Sequence, residues 1–551
     1  MSPIAYYAVV VAGLLVLCMS HGWIQYLSHR VYGMQRWLWM HLCRRHSIWN
    51  SAWLGSWTWW TVGVQLGLMG AHLLLIFLPS TDMRRVAGRA GELATLHLGV
   101  FCLGPHLSYQ ADCLHLSLTD MRFVHGCLSG SLVLAVALHA IILKPSASAF
   151  ADGLSQQLYG IVAALTLPTM LVLCWPPVRR WCYELFLRSH QVLALGTLWA
   201  VWGHVHHTTT LAQYTVVGSI SCFTLLTIVQ LFHMLWVHRC FWAGLPRAHI
   251  TRMDNATRVA IWTPRRYLVR PGQYINIWMP GLSLRSFWES HPFYVVFAHH
   301  RGHGTLLELM VQPRRGWTAR LWMYARPTAP NHIEAVFPSP DTHLVLFSGP
   351  HGGSIRVEEY GVVVLVASGW GLMGQMPYLQ ALIRGHREGV MKARRIHLIW
   401  QLNTAAEGAA AHTLLNRTLA QDTTEDSDFF NISVYRRQER TELQLGRRVT
   451  SHAGVADWQA TIADEVAWSP QDIEHRAQVS SLDQLPLLNP SAFAIDQRQT
   501  IVMVSATANI RRLVHQACRP HASPRVRLVE LEFQPEDDLS DDESPASDPP
   551  S

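Results

Sequence analysis

Nearly every long apolar run in this 551-residue chain lies before about residue 237. That one-sided distribution restricts the fold more than any single motif does. A helix that crosses a bilayer needs roughly 20 mainly apolar residues, and candidate spans fall near 4–20, 53–79, 93–113, 122–143, 157–176, 183–206 and 212–236. Beyond them the hydrophobic segments are shorter, mixed and strand-like. The chain therefore reads as a multi-pass membrane part in contact with lipid, followed by a half built outside the bilayer, and it is too long for one core. Only 15% of its residues are charged and the net charge is +7. No module combines basic and aromatic residues in the way nucleic-acid binding requires, so no nucleic-acid partner is expected. The ten cysteines form no C-x-x-C pair, so free thiols and no structural zinc are expected.

The first apolar run lacks a basic leading region, which favours a retained helix over a cleaved signal. Polar side chains inside a bilayer are costly and mark function by default. The segment "RFVHGCLSGSLVLAVALHAII" carries two, His125 and His139, fourteen residues apart, and "YELFLRSHQVLALGTLWAVWGH" repeats that spacing with His190 and His204. Fourteen residues advance a helix about 21 Å and return it to nearly the same face. The two segments are separated by one further span and so run in the same direction. His125 can then face His190, and His139 can face His204, at two depths. A single histidine of this kind is more simply a residue bonded to a carbonyl. Two matched pairs are what two six-coordinate b-type haems require. His97, His106, His115, His206 and His207 lie nearby, but none repeats the pairing.

With "RAGELA" at 89–94 and "YELF" before His190, these segments resemble the fungal ferric-chelate reductase family, which is related to the superoxide-producing NADPH oxidases. The resemblance implies a bis-haem transmembrane bundle with His125, His139, His190 and His204 as iron ligands. The oxidases typically have one residue fewer between the second pair. Gly126 and Cys127 stand where the reductases often carry Arg and Trp.

The second half extends the resemblance. "YLVRPGQYINIWMP" reads as a strand, a Pro-Gly turn and a strand, and His291, Pro292 and Phe293 then resemble the flavin signature of the ferredoxin-reductase-like superfamily. Tyr294 replaces its usual Ser or Thr. Gly316 and Thr318 in "LMVQPRRGWTARL" resemble the turn and helix start that meet the flavin pyrophosphate, where a glycine allows close approach and helix amides favour an anion. Gly349, Pro350 and Gly352 resemble a Gly-Pro-Tyr-Gly element with His351 in place of Tyr. Ser368, Gly369 and Gly371 follow a continuous apolar strand, as a dinucleotide turn does. Arg447, in "ELQLGRRV", is the candidate for cofactor phosphate contact. In the last strand, "QTIVMVSATANIRRLV", the family's Cys-Gly-Pro is replaced by Ala506, Thr507 and Ala508.

The expected organisation is 1–82 N-terminal transmembrane helices, 83–237 haem domain, 238–345 FAD-binding β-barrel, and 346–533 NAD(P)-binding α/β domain. Within the last, a polar insertion is expected at about 404–498, and a disordered acidic tail at 534–551. The resemblance implies a plasma-membrane ferric-chelate reductase carrying FAD, two haem b and NADPH. The C-terminal half would be cytosolic, and electrons would pass to extracytoplasmic ferric chelates, siderophore iron or cupric ion in support of iron uptake, with an iron permease downstream. An odd span count would then put the N-terminus outside. The loop with Arg30, Arg36, Arg44 and Arg45 obeys the positive-inside rule under that topology, whereas Arg84, Arg85 and Arg89 break it. The alternatives are a superoxide-producing NADPH oxidase, a haem membrane protein without turnover that acts as redox partner or sensor, and a reductase with another acceptor.

Overall fold

The computed structural model describes residues 47–51, 55–78, 82–104, 106–143, 154–206, 210–238, 244–253, 255–283, 285–327, 342–402, 405–420, 429–437, 443–444, 448–468, 499–521 and 525–535, with part of 4–13. The chain divides into two compact units, Met1–Leu235 and Trp236–Ser551.

In the first unit a two-stranded hairpin, β1 (Ser47–Ser51) and β2 (Gly55–Thr58), leads into helix α1 (Trp59–Phe77). Thr58 and Thr61 form a reciprocal capping box that satisfies backbone donors at the start of α1. Helices α2 (Met83–Phe101), α3 (Leu107–Cys113), α4 (Leu118–Leu143), α5 (Leu154–Leu173), α6 (Pro176–Trp181), α7 (Tyr183–Val205) and α8 (Thr210–Val237) follow. Four of these, α1, α4, α5 and α8, are long and apolar enough to cross a membrane. Packing is most extensive between α2 and α4 and between α5 and α7. Large apolar side chains such as Leu66, Ile141, Leu165, Val192 and Leu225 point outward, as an apolar solvent permits.

One expectation for this unit needs correction. The span near 93–113 is not one helix: α2 starts ten residues earlier, at Met83, and ends at Phe101, and the short α3 begins at Leu107. Pro105 follows Gly104, and a proline disfavours helical backbone at the residue before it. The run near 183–206 is one continuous helix, α7, in which Glu184, Arg188, Gln191 and two histidines interrupt the apolar residues. Most of the run at 4–20 lies outside the described residues.

The second unit begins with antiparallel sheets. One has the order β10-β3-β4-β8-β7, where β3 is Arg247–Met253, β4 Ala256–Thr263, β7 Phe297–Arg301, β8 Gly304–Val311 and β10 His343–Leu344; β9 (Arg326–Pro327) lies parallel to β3. The other runs β11-β5-β6, with β5 Tyr274–Trp278, β6 Ser290–Tyr294 and β11 Leu346–His351. Helix α9 (Trp317–Tyr324) packs its buried Trp317 and Leu321 into their common core. The stretch Tyr267–Arg270, expected to be a strand, is irregular. Pro271 has no N–H for a ladder, and the backbone N–H of Arg270 is instead bonded to the Gln273 side chain at 2.8 Å.

A seven-stranded sheet follows, in the order β15 (Leu443–Gln444), β16 (Val449–Ala453), β14 (Phe430–Arg436), β13 (Arg395–Leu402), β12 (Val362–Ser368), β17 (Thr500–Ser505) and β18 (Val526–Glu530), parallel except for β15. Its centre is β12 (Val362–Ser368), between β13 (Arg395–Leu402) and β17 (Thr500–Ser505). Alternate residues of a strand face opposite sides. Accordingly Val363 and Leu365 pack with helices α10 (Leu372–Arg387) and α11 (Ala405–Leu419), while Val364 and Val366 pack with α12 (Trp458–Ala467) and α13 (Ala508–Cys518). Coverage on both faces explains why β12 is apolar from Val362 to Ala367.

The polar insertion expected at about 404–498 includes part of the fold. Helix α11, strand β14 (Phe430–Arg436), strand β16 (Val449–Ala453) and helix α12 all lie within it, and both strands belong to the parallel sheet. Polar residues at half-buried positions of both strands, such as Asn431, Ser433 and Thr450, disguised them. Residues 469–498 and the tail from 536 lie outside the described residues. The strand at 500–505 is also not the last, because β18 (Val526–Glu530) pairs beside it.

Candidate functional site

Helices α4 and α7 bring the four membrane histidines together in the two expected pairs. The ring centroids of His125 and His190 are 6.2 Å apart, and those of His139 and His204 are 6.1 Å apart. A metal bonded to both rings of a pair at about 2.0–2.1 Å per nitrogen would place the ring centres about 6 Å apart. Each pair is therefore spaced for one coordinated ion with opposed imidazoles. His139 Nδ1 donates to the Ala87 carbonyl at 2.8 Å, and His204 Nδ1 donates to the Gln156 carbonyl at 3.0 Å. These tethers fix the tautomer and leave Nε2 as the coordinating atom, the usual division of labour in a ligating histidine. In the other pair the Nδ1 atoms of His125 and His190 are buried without a hydrogen-bond partner among the described residues. The donor set and its spacing fit two bis-imidazole haems.

Two glycines make room for these rings. A Cβ on Gly91 would lie 3.0 Å from the His139 ring, and one on Gly160 would lie 2.8 Å from the His204 ring. The Phe101 ring packs against His125 at 4.8 Å. Sequence reasoning met Gly91 only inside "RAGELA" and singled out neither Gly160 nor Phe101. Isolated glycines in apolar helices carry no signal until their partners are known.

Strand β6 presents the flavin-signature residues on two faces. His291 and Phe293 lie on one side against Trp317, at 4.9 and 5.7 Å, next to Gly316. Gly316 has φ +70° and starts α9, a conformation that favours glycine. The Thr318 hydroxyl accepts the Arg314 N–H at 2.9 Å and so closes the approach loop. An open turn, a helix start and adjacent aromatic rings fit a flavin with its pyrophosphate. Tyr294 points the other way. Its hydroxyl accepts the Phe533 N–H at 3.0 Å, and its ring meets Phe533 edge-on at 5.0 Å. Burial pushes its phenol well above the usual range. Phe533 also packs on Tyr274 at 4.9 Å, and sequence reasoning missed it because its partners are more than two hundred residues away.

The dinucleotide elements are formed by turns. Gly349 and Gly352 have φ +123° and +85° on either side of Pro350 and His351. The Gly349 carbonyl accepts a hydrogen bond from the Tyr267 hydroxyl, and His351 Nε2 meets Ser348 Oγ at 2.9 Å. Gly369–Gly371 form one 3-10 turn between β12 and α10. Trp400 Nε1 donates to the Gly369 carbonyl at 3.0 Å, and Ser368 Oγ accepts from Thr507 N at 2.8 Å. Gly371 is packed so tightly that a Cβ would lie 1.8 Å from the Ser505 carbonyl. The turn stands at the carboxyl end of the central strand, where doubly wound sheets bind dinucleotides, and fits one. Ala506 is buried, and its N–H donates to Gln534 Oε1 at 2.8 Å. Arg447 lies outside the described residues.

Comparison with known proteins places names on these three regions. Residues 90–201 match the model of the ferric reductase like transmembrane component, 246–354 that of an FAD-binding domain, and 360–529 that of the ferric reductase NAD binding domain. The probable cell surface ferric reductase kap2 of Aspergillus oryzae is 26% identical over 257 residues, covering 44% of this chain and 32% of that protein. The ferric/cupric reductase transmembrane component 2 of Saccharomyces cerevisiae is 24% identical over 332 residues, covering 57% and 42%. Component 6 of the same yeast is 26% identical over 242 residues, covering 42% and 31%. The matched part thus spans less than half the length of each of these relatives.

Proposed function

This chain belongs to the ferric reductase family, and from that premise we propose that it is a transmembrane metalloreductase. It would carry electrons from cytosolic NADPH through FAD and two b-type haems to an extracytoplasmic ferric chelate or cupric ion. The single observation that carries this reading is the pair of opposed imidazole sets, 6.2 and 6.1 Å apart, on the same two helices. Bound there, the groups would supply the conversion of a two-electron donor into one-electron steps along a relay.

This chain's residues do the holding. His125 with His190 and His139 with His204 would ligate the irons. Carbonyls of Ala87 and Gln156 orient the second pair. His291, Phe293, Gly316 and Thr318 would hold the flavin, with Pro292 shaping the strand and Tyr294 setting its far face. Gly349, Pro350, Gly352, Ser368, Gly369 and Gly371 would cradle the dinucleotide, with Arg447 as the phosphate contact. We assign a plasma-membrane location with the second unit cytosolic, and ferric chelates or siderophores as acceptors.

A second reading has one observation in its favour: Ala506 stands where the resemblance expects a cysteine, so a haem protein that receives few electrons from NADPH is its rival. The test is spectroscopic. In membranes holding the full chain, NADPH should reduce the haems and an Fe(III) chelate should reoxidise them under anaerobic conditions. Haems that stay oxidised with NADPH would favour the rival reading. Reoxidation by oxygen alone, with superoxide formed, would favour an oxidase.

A further inference from the structure

The antiparallel part and the parallel-sheet part of the second unit are joined by a charge-centred contact that the function above does not use. Arg417, near the end of α11, donates through Nη2 to Glu308 Oε2 at 3.0 Å, and its guanidinium lies 3.8 Å above the Phe297 ring. Glu308 is on β8, with its side chain 3% exposed, and it also accepts from Arg258 on β4 at 3.1 Å. From α10, Gln380 Nε2 donates to the Val296 carbonyl at 3.1 Å. Val296 and Phe297 are buried in the same cluster as Leu379, Ile383 and Leu415 of the parallel-sheet part. Three ties from the dinucleotide side thus converge on residues 296–297, two positions beyond the end of β6.

The charge balance indicates what Arg417 is for. Glu308 already has one cationic partner in Arg258 within its own sheet. Arg417 brings a second cation to one carboxylate, so it is not needed to neutralise that sheet; what it adds is a link across. Its planar fork can bond the carboxylate and stack on a ring together, which lysine cannot reproduce. We propose that Arg417 is a positioning residue, which fixes the dinucleotide turn at 368–371 relative to the flavin strand 290–294. The inference rests on the assignment of those two segments to NADPH and FAD. Misplacement of reacting groups by about 1 Å can cost about a hundredfold in rate, so a rigid link at this point matters for hydride transfer.

The test uses the full chain in nanodiscs, with Arg417→Met, which keeps an apolar stem over Phe297, and Arg417→Lys, which keeps the charge. Without nucleotide, hydrogen exchange in Arg417→Met should rise about tenfold or more at the amides of residues 294–297 and stay unchanged in β4, with Arg417→Lys intermediate. With FAD bound, NADPH should reduce the flavin about ten- to a hundredfold more slowly, while NADPH affinity changes by less than about twofold. Exchange that rises equally throughout the antiparallel sheets would mean a purely structural residue and overturn the proposal. So would an unchanged flavin reduction rate. If the wild-type chain does not oxidise NADPH, the functional reading falls, and the exchange measurement still decides whether Arg417 makes the link.

Discussion

Each residue that touches a membrane histidine is answerable to the space around an imidazole. Gly160 and Gly91 approach the His204 and His139 rings to 2.8 and 3.0 Å in the sense of an added Cβ, so a side chain at either position must displace the ring. Gly160→Val is predicted to remove about half of the haem from the purified chain, as read by the pyridine haemochrome spectrum, whereas Gly126→Ala, with open space around it, should leave haem content unchanged. The histidines themselves were legible because fourteen residues bring a helix back to one face. The glycines were not, since the rings they face, His139 for Gly91 and His204 for Gly160, lie on other helices, far beyond any local pattern.

A second residue-level feature is the buried carboxylate of Glu465. Arg395 bonds it at 2.6 and 2.7 Å, and His397 at 2.8 Å. Burial alone would raise its pKa, but the bonds and charges of Arg395 and His397 outweigh burial and hold it at about 2. A depressed folded pKa contributes stability that is complete above the ordinary carboxylate value and is lost as pH falls toward about 2. Glu465→Gln should therefore lower stability near neutrality by about 3–5 kcal/mol, the usual effect of breaking a buried pair. It should also flatten the dependence of unfolding on pH below about 4.5, measured by denaturant titration across that range.

Among the elements, those set by long periodic or continuous apolar runs were readable, and those set by tertiary contacts were not. Strand β12 and its glycine turn could be recognised because a strand covered on both faces is apolar without alternation. Strands β14 and β16 were hidden: "FNISVYR" mixes polar residues into its apolar ones, "VTSHA" has Thr450, Ser451 and His452 in a row, and both sit among charged segments that read as insertion. The break between α2 and α3 was obscured by apolar composition on both sides of Gly104. The element most sensitive to a single change is the β12–α10 turn. Gly371→Ala sets a methyl 1.8 Å from the Ser505 carbonyl, and overpacking of this kind costs about 1–3 kcal/mol or more. Thermal unfolding of the variant should shift downward, and binding of NADPH, followed by protein fluorescence quenching, should weaken severalfold.

For the whole molecule, the division between a helical unit and a sheet-built unit was visible in the distribution of hydrophobic residues alone. The division within the second unit was visible only through its resemblance, because antiparallel and parallel parts share one buried cluster around Phe297 and Leu379. With the second unit in the cytosol, the sequons at Asn255, Asn416 and Asn431 should carry no glycan, so endoglycosidase treatment of the native protein is expected to leave its mobility unchanged; a shift abolished by Asn416→Gln would reverse the assigned topology. The central claim is that the two imidazole pairs each hold one haem. It is tested most directly by counting haem per chain in the wild type and in His139→Ala/His204→Ala. Two haems falling to one, with a bis-imidazole spectrum preserved in the remaining site, is the predicted result; two haems retained in the double variant would contradict it.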